Sequence, residues 1–104
     1  MNRTELIKHL EDMFANCVGI VKVKNQDYAE DGNSFANFEV AASLAGITVE
    51  QIILSRIGDK LGRLRNVISK GNTAVKDESV SDTVHDLVNY LGILSAYIES
   101  SKNP

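Results

Sequence analysis

Residues 79–100, SVSDTVHDLVNYLGILSAYIES, carry the pattern that decides the fold. Large apolar side chains recur along this stretch at spacings of three and four residues, at Val80, Val84, Leu87, Leu91, Leu94 and Ile98. That spacing, sustained over about five turns, is typical of an α-helix with one buried face. Ser79 or Ser81 is suited to begin it as an N-cap. The stretch therefore predicts a long helix that ends at about Ser100.

Three further helices are predicted before this one. Apolar spacing predicts a helix from Thr4, its expected cap, to Val23, and another from Val49 to about Ser69 with Thr48 as its cap. A short helix from Phe35 to Leu44 lies between them, ended by Gly46. The positions expected to be buried are Leu6, Leu10, Met13, Phe14, Cys17 and Val21, then Phe35, Phe38, Ala41, Ala42 and Ala45, then Ile53, Ile57, Leu61, Leu64 and Ile68.

The end of the first helix leaves an alternative open. Val18, Ile20, Val21 and Val23 are β-branched, which also suits an extended chain. Residues 24–34, KNQDYAEDGNS, then combine several turn-forming residues, and we expect the longest loop of the chain there. Binding residues are often found in loops, so this segment is a candidate for function.

The whole chain, 1–104, is predicted to be a single all-α domain. Its 104 residues are 43% apolar and 24% charged, which is ordinary for one domain with a core. Two long helices joined by a short loop pack antiparallel, and the first helix would complete a helical bundle of three long helices plus one short helix. Small domains often assemble to bury more surface, and the last helix is apolar over a broad arc, so a homo-oligomer is expected.

Composition also bears on location and partners. Cys17 is the single cysteine and has no partner for an internal disulfide. Neither a signal peptide nor a membrane-spanning run is apparent, so a cytoplasmic location with no membrane partner is expected. A net charge of -3 argues against general nucleic-acid binding, which usually requires a basic excess.

A line of acidic and amide side chains runs along the last helix. Glu78, Asp82, Asp86 and Asn89 are separated by four, four and three residues, which places them along one side of the helix, opposite Val84 and Leu91. Stacked carboxylates repel each other, and Mg²⁺ would relieve that repulsion. The alternative is a solvated acidic face whose first residues are stabilised by the helix dipole.

Cations predominate on the third helix and recur in the predicted loop. Arg56, Asp59, Lys60 and Arg63 share one flank of the third helix, and the surplus cations suit phosphate binding. An interhelical network of ion pairs is the alternative for this flank. In the loop, Lys24, Asp27 and Tyr28 combine polar groups with a ring that can stack on a base.

Three stretches together resemble a known family. They are KNQDYAEDGNSFANF at 24–38, DKLGRLRNVI at 59–68 and VKDESVSDTVHDLVNYLGIL at 75–94. They resemble the phage and bacterial proteins grouped as nucleotide-modification-associated domains, which are in turn similar to the all-α nucleoside triphosphate pyrophosphohydrolases of the MazG type. The resemblance covers about Lys24 to Tyr97.

The resemblance implies a MazG-like bundle in which two subunits hold Mg²⁺ through paired E-x-x-E and E-x-x-D motifs. Carried over by position, the second pair is Glu78 and Asp82, followed by Asp86 one turn later. The spacing in this chain is E-x-x-x-D, and Glu39 and Glu50 lack an acidic partner three residues away.

Three hypotheses follow. In the first, the protein is an Mg²⁺-dependent pyrophosphohydrolase that binds metal through Asp59, Glu78, Asp82 and Asp86, with Asp86 or Glu78 accepting a proton. Lys60 and Arg63 would then neutralise phosphate, and Tyr28 would stack on the base. In the second, it is a non-catalytic, phage-type protein that sequesters a nucleotide through Lys24, Asp27, Tyr28, Lys60 and Arg63. In the third, it is a helical oligomeric scaffold whose charges form surface ion pairs.

Overall fold

The computed structural model describes residues 1–28, 32–70 and 77–102, with the side chains of all of these except 25–28 and 77–79. Four helices account for the regular structure of the described residues: α1 (Arg3–Tyr28), α2 (Ala36–Ala45), α3 (Val49–Ser69) and α4 (Asp77–Lys102). The prediction of an all-α chain with three long helices and one short helix is confirmed. The bounds predicted for α3 agree with the structure.

Helix α1 is longer than predicted at both ends. Its cap is Asn2 rather than Thr4, because the Asn2 side-chain oxygen accepts from the Glu5 N–H at 2.9 Å. At the other end the helix continues through Tyr28, so the loop predicted to begin at Lys24 and the extended alternative are both wrong. Asn and Asp lower helix stability by only a fraction of a kcal/mol each, and residues 24–28 contain neither glycine nor proline.

The corner between α2 and α3 is determined by local signals in the sequence. Gly46 has a φ of 70°, a left-handed conformation that favours glycine, and its N–H donates to the carbonyls of Ala42 and Ser43. Thr48 Oγ1 accepts from the Gln51 N–H at 3.1 Å, and Gln51 Oε1 accepts from the Thr48 N–H at 2.9 Å. This reciprocal pair is a capping box, which confirms the predicted start of α3.

Thr48→Ala is expected to lower the free energy of unfolding by about 1 kcal/mol, because the Gln51 N–H loses its acceptor. For a domain of this size that corresponds to a fall in Tm of about 4–8 °C. Thr4→Ala is the matched control and should leave Tm nearly unchanged, because Asn2 caps α1. Thermal unfolding followed by circular dichroism measures both variants, and equal shifts for the two would contradict this account of the cap.

The core lies where α2, α3 and α4 meet. Its buried members are Ala42, Val49, Ile53, Ile57 and Leu87. Two edge-to-face ring contacts extend it, from Phe38 to Tyr90 with centroids 6.4 Å apart and from Phe35 to Tyr97 at 5.2 Å. Helix α1 packs against α4, where Cys17 is 2% exposed and its thiol donates to the His85 carbonyl at 3.8 Å. The interpretation of Cys17 as a small core residue is confirmed.

Many residues expected to be buried are exposed. The exposed fraction lies between 37% and 64% for Leu6, Leu10, Phe14, Leu61, Ile68, Leu91 and Ile98. Helix α1 packs chiefly against α4, so a flank of each long helix is uncovered within one chain. The prediction that these residues are buried is wrong.

Among the described residues, no helix taken singly has the length and apolar content needed to cross a bilayer, whereas α2 and α3, bent by 94° at their junction, meet such a test as a pair.

Candidate functional site

Two lysine side chains, one from α1 and one from α3, lie close to the carboxylate of Asp86 on α4. Lys60 of α3 places its Nζ 2.9 Å from Asp86 Oδ2. Lys24, in the last turns of α1, places its Nζ 3.9 Å from Oδ1. We call Lys24, Lys60 and Asp86 the Asp86 cluster. It contains two positive charges for one negative charge and therefore has a net positive charge.

The sequence places this cluster at the edge of the core. Lys60 follows the buried Ile57 by three residues on α3, and Asp86 directly precedes the buried Leu87 on α4. The side chains of Lys60 and Asp86 are each 25% exposed, whereas that of Lys24 is 62% exposed. Partial burial strengthens the attraction between charges relative to bulk water. Asp86 and Lys60 therefore form the ordered part of the cluster, and Lys24 its solvent-facing part.

The basic flank predicted on α3 is divided by the fold. Arg56 lies over the ring of Phe38, with its Cζ 5.6 Å from the ring centroid, and its buried Nε has no hydrogen-bond partner among the described residues. Asp59 and Arg63 are exposed, and neither forms an ion pair within the described part of the chain. Arg63 follows Lys60 by three residues and so lies on the neighbouring turn of the same flank. Of this flank, Lys60 is the member that forms an ion pair with α4 among the described residues.

The acidic line on α4 is also divided. Asp82 is exposed, whereas Asp86 is half-buried and in contact with Lys60. Leu91, which was expected to be buried, is 55% exposed. The side of α4 that faces the core therefore lies between the acidic line and Leu91. The apolar stripe predicted on α4, which includes Leu91, is therefore buried only in part.

The predicted magnesium ligands do not fit a metal site as far as they are described. No three Asp, Glu, His or Cys side chains among the described residues lie close enough together to hold an ion. Both Asp86 oxygens face ammonium groups, so this carboxylate already has counter-charges. The Glu78 side chain, another predicted ligand, is outside the described side chains, as are Asp27 and Tyr28. Magnesium binding and the roles of these three residues stay predictions.

Cys17 connects α1 to α4 close to the cluster. Burial raises the pKa of its thiol, and the negative charge of Asp86 raises it further. The neutral thiol is therefore favoured at neutral pH, and neutral thiols are poor nucleophiles. Cys17 contributes packing to the site rather than reactivity.

A concave surface lies between α1 and α4, apart from the Asp86 cluster, and the sequence did not predict it. This groove has a volume of about 440 Å³ and is lined by His9, Asp12, Met13, Asn16, Val80, Ser81, Val84 and His85. His85 is half-buried in this groove, and its Nδ1 lies 3.5 Å from Ser81 Oγ. Helical periodicity gives the face on which His85 lies but not the helix that covers it.

Comparison with known proteins confirms the resemblance to nucleotide-modification-associated domains, and the similarity to MazG-type enzymes stays a prediction. Residues 24–96 match the family model described as nucleotide modification associated domain 1. The matched region begins at Lys24 and contains all three members of the Asp86 cluster. No characterised protein and no solved structure matches the chain significantly.

Proposed function

Because the chain belongs to the nucleotide modification associated domain 1 family, we propose that it binds a nucleotide whose phosphate is held by Lys24 and Lys60 beside Asp86. One observation carries the proposal. Two ammonium groups from separate helices lie within 2.9 and 3.9 Å of a single carboxylate, so among the described side chains the cluster has one more positive than negative charge. A phosphate is a natural ligand for such a surplus.

The donors of the cluster suit this role. An ammonium group has three N–H donors, and Lys60 uses one direction for Asp86, which leaves the others for phosphate oxygens. Lys24 is more exposed and more distant from Asp86, so its ammonium group can move to the ligand. Arg63, on the next turn of α3, supplies a guanidinium suited to paired contacts with a second phosphate. In this proposal Asp86 orients Lys60.

Hydrolysis with Mg²⁺, which the resemblance to MazG-type enzymes implies, is the alternative. It is favoured by the exposed carboxylate of Asp82, one turn before Asp86 on α4. Mg²⁺ would supply charge neutralisation for the phosphates when bound. Metal binding through Asp86 would require displacement of Lys60 from its 2.9 Å contact, which is why we place binding before turnover.

A thermal-shift screen of nucleoside mono-, di- and triphosphates and cyclic dinucleotides, with and without Mg²⁺, tests the proposal. A ligand at 100 times its Kd stabilises a protein by about 2.7 kcal/mol. For a domain of this size that is a shift of roughly 10 °C. We expect at least one nucleotide to produce such a shift without Mg²⁺. No shift with any of them would contradict nucleotide binding.

Asp82→Asn separates binding from turnover. Under the proposal this variant keeps the shift produced by the best nucleotide, and chromatography of the mixture shows the nucleotide unchanged for both proteins. Product formed by the wild-type chain with Mg²⁺ and lost in Asp82→Asn would favour the pyrophosphohydrolase instead. The two hypotheses therefore differ in whether product forms, and both predict that the nucleotide binds.

A further inference from the structure

A set of large apolar side chains lies exposed on the two helices that form the core. It consists of Leu54, Leu61 and Ile68 on α3 with Leu91 and Ile98 on α4, which are between 41% and 64% exposed. We call it the α3–α4 apolar face. Within each helix its members are seven residues apart, so they form a column along one side, with one side chain about every two turns.

The two columns lie on the same side of the helix pair. On each helix the column is displaced from a residue of the core, by roughly 20–60° from Ile57 on α3 and by roughly 80–100° from Tyr90 on α4. The displacement is in the same direction of rotation on both helices, when each helix is viewed from its N-terminus. Because two long helices joined by a short connection pack antiparallel, that shared sense places both columns on one surface. Leu54 and Leu91 are then neighbours across the seam.

The accessible area of the chain is larger than that of a compact protein of its mass. It is 7610 Å², against roughly 5,800 Å² expected for a folded monomer of this size. The radius of gyration is 15.7 Å, against about 13 Å expected. The excess area is about 1,800 Å², and obligate homodimers bury about 1,000–2,500 Å² on each partner. The excess of the whole chain, to which the uncovered flank of α1 also contributes, lies within that range.

We propose that the α3–α4 apolar face is covered by a second copy of this chain. The face is carried by two helices that the core holds together, so it presents a fixed surface that can pack on its own copy about a two-fold axis. The Asp86 cluster is not part of it, because Asp86 lies roughly 140° around α4 from Leu91. Assembly through this face leaves the cluster accessible.

Size-exclusion chromatography with light scattering on Leu61→Glu and Leu91→Glu tests the proposal. The wild-type chain should have a mass of at least twice 11.4 kDa. Each variant should have a mass near 11.4 kDa at the same concentration. A glutamate in the centre of an apolar interface is desolvated without a counter-charge, which strongly opposes association. Asn66→Glu is the matched control. It adds the same charge on an exposed position of α3 outside the face and should keep the wild-type mass.

Two results would overturn the proposal. One is a wild-type mass of 11.4 kDa at all concentrations up to several hundred micromolar, and the other is an assembled Leu61→Glu or Leu91→Glu variant. Far-UV circular dichroism checks that the variants are folded. Both positions are more than half exposed, so we expect full helicity. If a glutamate variant loses helix, glutamine at the same position removes the apolar contact without charge and should give the same loss of mass. Nucleotide binding is measured separately, so the two proposals fail independently.

Discussion

Ile53→Ala is expected to lower the free energy of unfolding by about 3–4 kcal/mol, as large-to-small changes at fully buried positions do. Ile53 is 0% exposed and belongs to the cluster in which α2, α3 and α4 meet. The loss has two parts: the free energy of transferring the deleted carbons out of water, and the cost of the cavity that the neighbouring side chains leave unfilled. A change of this size is a large fraction of the stability of a small domain.

Leu44→Ala is the control for this prediction, because Leu44 is 84% exposed at the end of α2. It should change the free energy of unfolding by less than about 0.5 kcal/mol. Urea unfolding of the three proteins at one fixed protein concentration measures both effects, because association would make the apparent stability depend on concentration. A loss below 1 kcal/mol for Ile53→Ala would mean that the three helices do not share this core.

Lys60→Ala is expected to raise the Kd for the best nucleotide by about tenfold to a hundredfold, because a hydrogen bond to a charged group contributes about 1.5–3 kcal/mol. The contact of Lys60 with Asp86 fixes the ammonium group, so its removal deletes the best-ordered donor of the cluster. Lys24→Ala should have a smaller effect, because Lys24 is more exposed and lies 3.9 Å from Asp86.

Lys22→Ala is the matched control for both lysines. It removes the same charge from an exposed position of α1, two residues before Lys24. Its effect on Kd should be small and should fade as salt is added, because it acts only through long-range attraction. Isothermal titration calorimetry at two salt concentrations distinguishes the variants. Equal losses for Lys22→Ala and Lys60→Ala would show that the cluster is not the phosphate site.

The parts of the fold predicted from sequence are those with a local physical signal. Thr48 and Gln51 cap α3 through bonds between residues three apart, and Gly46 ends α2 through its own backbone conformation. The end of α1 was misjudged because Asn and Asp favour turns only when no neighbouring contact favours the helix. Lys24 is helical, and its side chain contacts Asp86 of α4. Because the two residues are far apart in sequence, the local pattern of residues 24–34 does not indicate this contact.

Helical periodicity predicted which residues are apolar on one face but not what covers them. Ile53 and Leu61 belong to the same predicted stripe of α3, yet Ile53 is 0% and Leu61 53% exposed. The difference arises from where α4 lies, which depends on the packing of the whole chain. The same limit applies to α1, whose Phe14 is 50% exposed although it shares a predicted stripe with the buried Cys17.

The members of the candidate site were predicted, but their arrangement was not. Lys24 was expected in a loop, Lys60 on a basic flank and Asp86 in a line of metal ligands, as three separate groups. In the structure they meet, and Asp86 is the ion-pair partner of both lysines. Spacing within a helix cannot indicate a contact between positions 24, 60 and 86, because that contact is tertiary.

The Asp86 cluster is where we propose that the nucleotide phosphate binds. The most direct test is a titration of the ¹⁵N-labelled chain with the nucleotide that gives the largest thermal shift, followed by ¹H–¹⁵N correlation spectra. We predict that amide signals around Lys24, Lys60 and Asp86 shift together with a single Kd, and that Lys60→Ala weakens this response. Shifts confined to the α1–α4 groove around His9 and His85, with the Asp86 region unchanged, would contradict the claim.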